Sequence, residues 1–85
     1  MQVTVTISLK PGVLDPQGRA IEHSLQSLGW QGVDQVSTGK QIILDIDEED
    51  EARATQIVAR MCETLLVNTV IEDYSIHCST PESDG

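Results

Sequence analysis

Aromatic and basic residues are scarce in this chain of 85 residues: one Trp, one Tyr and no Phe, with five Lys and Arg against fourteen Asp and Glu, a formal net charge of −9. Too few cations remain to neutralise a phosphate backbone, and two aromatic rings make no stacking platform, so a nucleic-acid partner is excluded. The same charge argues against an anionic membrane surface. Cysteine is equally sparse. Cys62 and Cys78 are the only two and form no Cys-x-x-Cys pair, which removes both a disulfide framework and a zinc site from consideration. No apolar run approaches the roughly 18 residues of a membrane span. The N-terminal stretch lacks a basic region followed by an apolar one, so no secretory signal is expected and a reduced, cytoplasmic protein is. One domain of this length sits near the lower limit for a self-sufficient core. With neither disulfide nor metal to help, oligomerisation is the remaining support. The acidity itself implies solubility and remains compatible with a basic partner protein.

The strongest strand signal is at the start. From Gln2 to Leu9, Val3, Val5, Ile7 and Leu9 alternate with Thr4, Thr6 and Ser8, the pattern of a strand with one buried face. Thr4 and Thr6 leave the other face polar yet β-favouring, open to solvent or to another sheet. Lys10-Pro11-Gly12 marks a turn. Asp15-Pro16 reads as a helix N-cap with Pro at the first helical position, Ile21, Leu25 and Leu28 form an apolar stripe, and Gly29 stops the helix, which predicts a first helix over 16–28. Residues 33–46 are β-like, and Ser37-Thr38-Gly39-Lys40 is either a hairpin turn or a Gly bulge in one bent strand. Ala54, Ile57, Val58, Met61, Cys62, Leu65 and Leu66 follow the 3.6-residue period and predict a second helix over 48–66. A last strand over 70–77 follows, with Val70, Tyr74 and Ile76 on one face. The expectation is an α+β fold, a two-layer α/β sandwich of β-α-β(β)-α-β order related to the ferredoxin-like arrangement, spanning 1–78 and followed by a flexible polar tail at 79–85.

A search for chemistry returns little. The acidic run Asp45, Asp47, Glu48, Glu49, Asp50 and Glu51 fails the calcium-loop pattern, since Asp50 stands where Gly is required. It is read as capping the second helix, with Glu49 paired to Arg53 four residues on. Gly39-Lys40 lacks both the preceding Gly and the following Ser or Thr of a phosphate loop. His23 lies off the apolar stripe. His77 and Cys78 are neighbours on a strand and point to opposite faces, and Cys62 is read as a core residue. Trp30 either covers the end of the core or anchors a protein contact. No convergent acid, base or nucleophile set is present, so no catalytic, cofactor-binding or metal-ligating residue is assigned.

Three stretches resemble the PurS family: Leu9-Lys10-Pro11-Gly12-Val13-Leu14-Asp15-Pro16-Gln17-Gly18; Val33 and Val36 leading to Gly39-Lys40 and Ile42; and Leu65-Leu66-Val67-Asn68-Thr69-Val70-Ile71-Glu72-Asp73-Tyr74. They lie in order across nearly the whole chain. The resemblance implies a non-catalytic subunit of the phosphoribosylformylglycinamidine synthase complex of purine biosynthesis, an ATP- and glutamine-dependent C–N ligase. Its partners would be a synthase subunit, PurL, a glutaminase subunit, PurQ, and further copies of itself as a dimer or tetramer that extends or stacks the sheet. ATP and magnesium would belong to the synthase subunit, and this chain would bridge the two catalytic subunits and assist ammonia transfer. The polar face of the first strand (Thr4, Thr6), Trp30, Tyr74 and Glu72, an acid on the expected apolar face of its strand, are the candidate interface residues. The His77-Cys78-Ser79-Thr80 end matches no motif of the family. Two other readings stand beside this one. A ferredoxin-like small-molecule-sensing domain would bind its ligand at a dimer interface. An acylphosphatase-like hydrolase would need an Arg in the loop after the first strand, where Lys10-Pro11-Gly12-Val13-Leu14 has none.

Overall fold

The alternating run at the N-terminus becomes the middle strand of a three-stranded sheet. The computed structural model describes residues 1–79. In it β1 (Gln2–Leu9) lies between β2 (Gly39–Asp45) and β3 (Glu72–Ser79), antiparallel to both. The register puts Val3 between Leu44 and Cys78, Val5 between Ile42 and Ile76, and Ile7 between Lys40 and Tyr74. All of these point to one face, because side chains alternate along a strand. The other face carries Gln2, Thr4, Thr6 and Ser8 with Ile43, Gln41, His77 and Ser75 beside them.

Helix α2 (Glu51–Met61) covers the apolar face. Asp50 caps it, its carboxylate accepting from Ala52 N–H at 3.1 Å, so the helix begins three residues later than its periodicity alone predicts. Ala54, Val58 and Cys62 are fully buried against Val3, Val5 and Ile7, and Val67 closes the cluster. The last turn widens into a π segment, Cys62–Leu66, in which Val67 N–H reaches Cys62 O at 3.1 Å. Thr64 Oγ1 donates back to Arg60 O at 2.9 Å, the kind of hydroxyl-to-carbonyl bond that competes with the regular ladder.

The first helix behaves differently. Helix α1 (Pro16–Ser27) has the expected cap and stop, yet it forms no packing layer on its own sheet, which α2 alone covers. The two-layer arrangement therefore holds for one helix within the chain. The radius of gyration is 16.6 Å and the longest dimension 48 Å, whereas a compact chain of this length has a radius near about 12 Å. The segment 33–38 is neither a hairpin arm nor the first half of a bent strand. It is irregular chain running beside α1, and β2 starts only at Gly39. At the far end, Asn68 O accepts from both Ile71 N–H and Glu72 N–H. This tight turn absorbs Val70 and Ile71, so β3 starts at Glu72 rather than at 70. It runs on to Ser79, paired with Gln2, and Ser79 thus belongs to the sheet and not to a tail. The rest of the expected tail, 80–85, lies outside the described residues.

Ile7 is 1% exposed within the core cluster between β1 and α2. Truncation to Ala is expected to cost about 3 kcal/mol, read as a fall in the denaturant midpoint with an unchanged slope. A loss below about 1 kcal/mol would mean that the β1–α2 contact is not the core.

Candidate association surface

What holds α1 away from the sheet is a set of bonds from one of its faces to the segment 33–38. Asp15 does most of this. Its Oδ1 accepts from Gly18 N–H at 2.9 Å, closing the first turn, while Oδ2 accepts from Thr38 N–H at 2.8 Å and Thr38 Oγ1 donates to Oδ1 at 3.0 Å. These bonds lower the Asp15 pKa from its ordinary 3.8, the Gly18 N–H most and the Thr38 N–H next, against a smaller opposing effect of desolvation. One and two turns beyond Gly18, Glu22 Oε1 accepts from Val36 N–H at 3.1 Å and Gln26 Nε2 donates to Val33 O at 3.1 Å. Asp15, Gly18, Glu22 and Gln26 share a helix face by their spacing. Gly18 is required on it, since a Cβ there would stand 2.5 Å from Val36 O. Gln35 adopts a left-handed φ of 52°, a conformation that non-glycine residues take reluctantly. The result is an arm: α1 going out, 33–38 coming back.

The far end of the arm is closed by the chain itself. Gly29, at φ 97°, sends its own N–H to Gln26 O and places Trp30 N–H at 3.1 Å from Leu25 O, the Schellman pattern of a helix C-terminus. The apolar stripe is incompletely covered: Leu28 is 77% exposed, Ile21 is exposed as well and Leu25 is half-buried, while Leu14 and Trp30 at the two ends of the helix are 72% and 63% exposed. Meanwhile the sheet has a bare region. Helix α2 lies over β1 and β3, and Ile42, Leu44 and Ile46 along β2 are only half-buried. The outer edge of β2 has no strand beside it among the described residues. An apolar helix without a sheet and a sheet margin without a helix lie on the same chain.

The sequence candidates fall in separate places. Thr4 and Thr6 lie on the polar face of β1, half-buried and exposed respectively, with His77 beside Thr4. Trp30 stands at the tip of the arm, away from the core, so its alternative role as a cover for the core end is not the one it plays in this chain. Tyr74 is on the α2 side, where its hydroxyl donates to Glu63 Oε2 at 2.8 Å. That hydrogen bond, helped by desolvation, raises the phenol pKa. Glu72 is on the same face. Its Oε1 accepts from Asn68 N–H at 2.8 Å and its Oε2 lies 3.7 Å from Lys40 Nζ, which accounts for an acid on that face. Thr6 and Trp30 are not brought together with Tyr74 and Glu72. The acidic run does not converge either: Asp50 caps α2 and Glu48 Oε2 accepts from Asp50 N–H. Among the described residues no three His, Cys, Asp or Glu side chains are grouped as a metal site would need, and none of their helices is long and apolar enough to cross a membrane. The tie between Asp15 and Thr38 had no sequence signal beyond the N-cap, because the second bond spans 23 residues.

A family model described as "PurS: Phosphoribosylformylglycinamidine (FGAM) synthase" matches residues 2–80. A relative from Synechocystis, phosphoribosylformylglycinamidine synthase subunit PurS, is 46% identical over 78 residues, covering 92% of this chain and 78% of its own. Among solved structures, the PurS of Methanocaldococcus jannaschii, described as one of the subunits of formylglycinamide ribonucleotide amidotransferase in the purine biosynthetic pathway, superposes with a TM-score of 0.85 at 44% identity, covering 95% of this chain and 98% of that one. A chain of the PurLQS structure from Thermotoga maritima gives a TM-score of 0.81 at 33% identity, covering 89% and 93%.

The Asp15 carboxylate sets a pH dependence. A folded pKa below the unfolded one stabilises the fold in full above the unfolded value, and the gain is lost as pH falls through the folded value. Asp15→Ala is expected to lower the melting temperature at neutral pH and to speed amide exchange at Gly18 and Thr38. The gap to wild type should close as the pH drops below 3.8. A gap that stays constant down to about pH 3 would remove the carboxylate from the account.

Proposed function

The chain belongs to the PurS family, and from that premise we propose that it is a small, non-catalytic subunit of a phosphoribosylformylglycinamidine synthase in purine biosynthesis, holding a synthase subunit, PurL, to a glutaminase subunit, PurQ. In this reading formylglycinamide ribonucleotide, glutamine and ATP become formylglycinamidine ribonucleotide, glutamate, ADP and phosphate. The amide nitrogen of glutamine must then travel from one active site to another as ammonia. Ammonia lost to water is protonated and no longer a nucleophile, so a subunit that keeps the two sites in register contributes to the rate without touching a reacting atom. The observation that carries the reading is the match of the family along residues 2–80, and a chain with a bare apolar arm and no convergent reactive groups suits the role. ATP and magnesium are assigned to the synthase subunit and none to this chain. Its free thiols at Cys62 and Cys78 suit the cytoplasm, where thiols stay reduced.

Self-association comes first in this scheme. The bare margin of β2 and the flank of α1 are both apolar and incompletely covered, and a two-fold axis lets each copy supply what the other lacks. In the dimer, the α1 stripe of one copy covers Ile42, Leu44 and Ile46 of its partner, completing the helix layer over both sheets. Leu25→Asp with Leu28→Asp is expected to reduce the molecular mass in sedimentation from oligomer to monomer, with a loss of thermal stability that wild type at high dilution also shows. An unchanged mass would place the arm outside the interface. The subunit role is tested by mixing the chain with PurL and PurQ of the same organism, ATP, magnesium and substrate. Glutamine-dependent product formation should require the chain, while synthesis from high ammonia should not. If leaving the chain out alters neither rate, the proposal fails.

A further inference from the structure

The five cations of this acidic chain are not spread evenly. Lys10 pairs with Asp73 at 2.9 Å and Lys40 with Glu72 at 3.7 Å. Two of the remaining three, Arg53 and Arg60, lie on the solvent face of α2, exposed and without an ion-pair partner among the described residues. The helix pair expected between Glu49 and Arg53 does not form. Seven residues separate the arginines, which is close to two turns and about 10 Å along the axis, so they share one face. Ile57 lies between them on that face and is 40% exposed. The three residues, with Glu48 and Gln56, line a shallow depression.

Helix stability does not explain this stripe. Arg60 in the last turn favours the helix dipole, but Arg53 is the third residue after the Asp50 cap, where a cation is disfavoured. The spacing also argues against a small anion. A phosphate calls for converging donors, and here an apolar side chain separates two guanidinium groups on different turns. The pattern of cation, apolar residue and cation fits an extended or helical protein segment carrying two carboxylates about 10 Å apart around an apolar side chain. Guanidinium groups hold carboxylates in bidentate fashion, which the lysines elsewhere in this chain cannot do.

We propose that the Arg53–Ile57–Arg60 face of α2 is a docking surface for an acidic, partly apolar segment of a catalytic subunit of the synthase; this rests on the subunit reading above. In a chain of net charge −9, two exposed guanidinium groups, only partly offset by Glu48 in the same depression, steer an acidic partner to one place and leave the acidic remainder repulsive to it.

The test uses the full chain with Arg53→Glu and Arg60→Glu together, beside a milder Arg53→Gln, Arg60→Gln pair. Mass by sedimentation and melting temperature are measured first, then binding to PurL and to PurQ separately at two salt concentrations. The expected result is an oligomer of unchanged mass and a melting temperature close to that of wild type, since what Arg53→Glu gains with the helix dipole offsets what Arg60→Glu loses. Affinity for one of the two subunits should fall about tenfold or more in the Glu pair, and by less in the Gln pair. Wild-type affinity should weaken with salt more steeply than that of the Glu pair. Binding of both subunits within about twofold of wild type would overturn the proposal. So would a change in the mass of the oligomer, which would make this face a contact between copies. If wild type binds neither subunit, the subunit reading itself falls and this surface falls with it; a wild type that binds while the Glu pair binds equally well removes the surface alone.

Discussion

The carboxylate of Asp15 ties the start of α1 to Thr38, and the exposure of Leu14, Ile21, Leu28 and Trp30 along the arm follows from that tie. One carboxylate serves both as the N-cap of a helix and as the anchor of a segment 23 residues further on. With Glu22 and Gln26 it occupies the polar side of α1 with backbone of the same chain. Those backbone groups are thereby satisfied without a sheet, which an isolated segment cannot otherwise manage away from water. The cost is that the apolar stripe has nothing of its own chain to cover. A helix of that composition facing water is unfavourable, so the same bonds that define the arm also create the demand for a second copy.

The remaining core is small. Among the described residues seven apolar side chains are buried, drawn from β1, α2 and the segment after it. A layer of that size leaves little margin once the entropy of ordering the chain is set against it. Folding and association are then linked, because any contact made only by the folded form stabilises it by mass action. The open edge of β2 belongs to the same argument. An unpaired strand edge is a hazard in a monomer and a resource in an assembly whose copies meet there.

Much of this was legible from residue types. The alternation of Val3, Val5 and Ile7, the Asp15-Pro16 helix start, the Gly29 stop and the period of α2 are local signals, and each sits within a few residues of where the pattern puts it. Three things were not legible, for a common reason. The stripe of Ile21, Leu25 and Leu28 says that α1 must be covered but not by which chain. Thr38 looks like part of a turn, because nothing nearby announces a carboxylate from the preceding helix. The shift of the last strand to Glu72 depends on Asn68 O accepting two amides, which the β-favouring pair Val70-Ile71 does not announce. Glu72 is out of place by alternation. Its explanation, Asn68 N–H and Lys40, lies in turn geometry and a cross-sheet neighbour.

A subunit without reactive groups can influence a reaction only by where it puts its partners, and the demands on such a chain are geometric. The arm and the β2 margin are apolar, the second beside an open strand edge, whereas the α2 face is basic with an apolar centre. Surfaces of different chemistry resist confusion with one another, since specificity is the difference between the right contact and the wrong one. The acidic remainder reinforces that separation by repelling other acidic chains except where the sign is reversed. The scarcity of cations noted in the sequence thus has a structural counterpart. With two lysines in ion pairs with Asp73 and Glu72, the exposed arginines are few enough for position, not number, to determine what they attract.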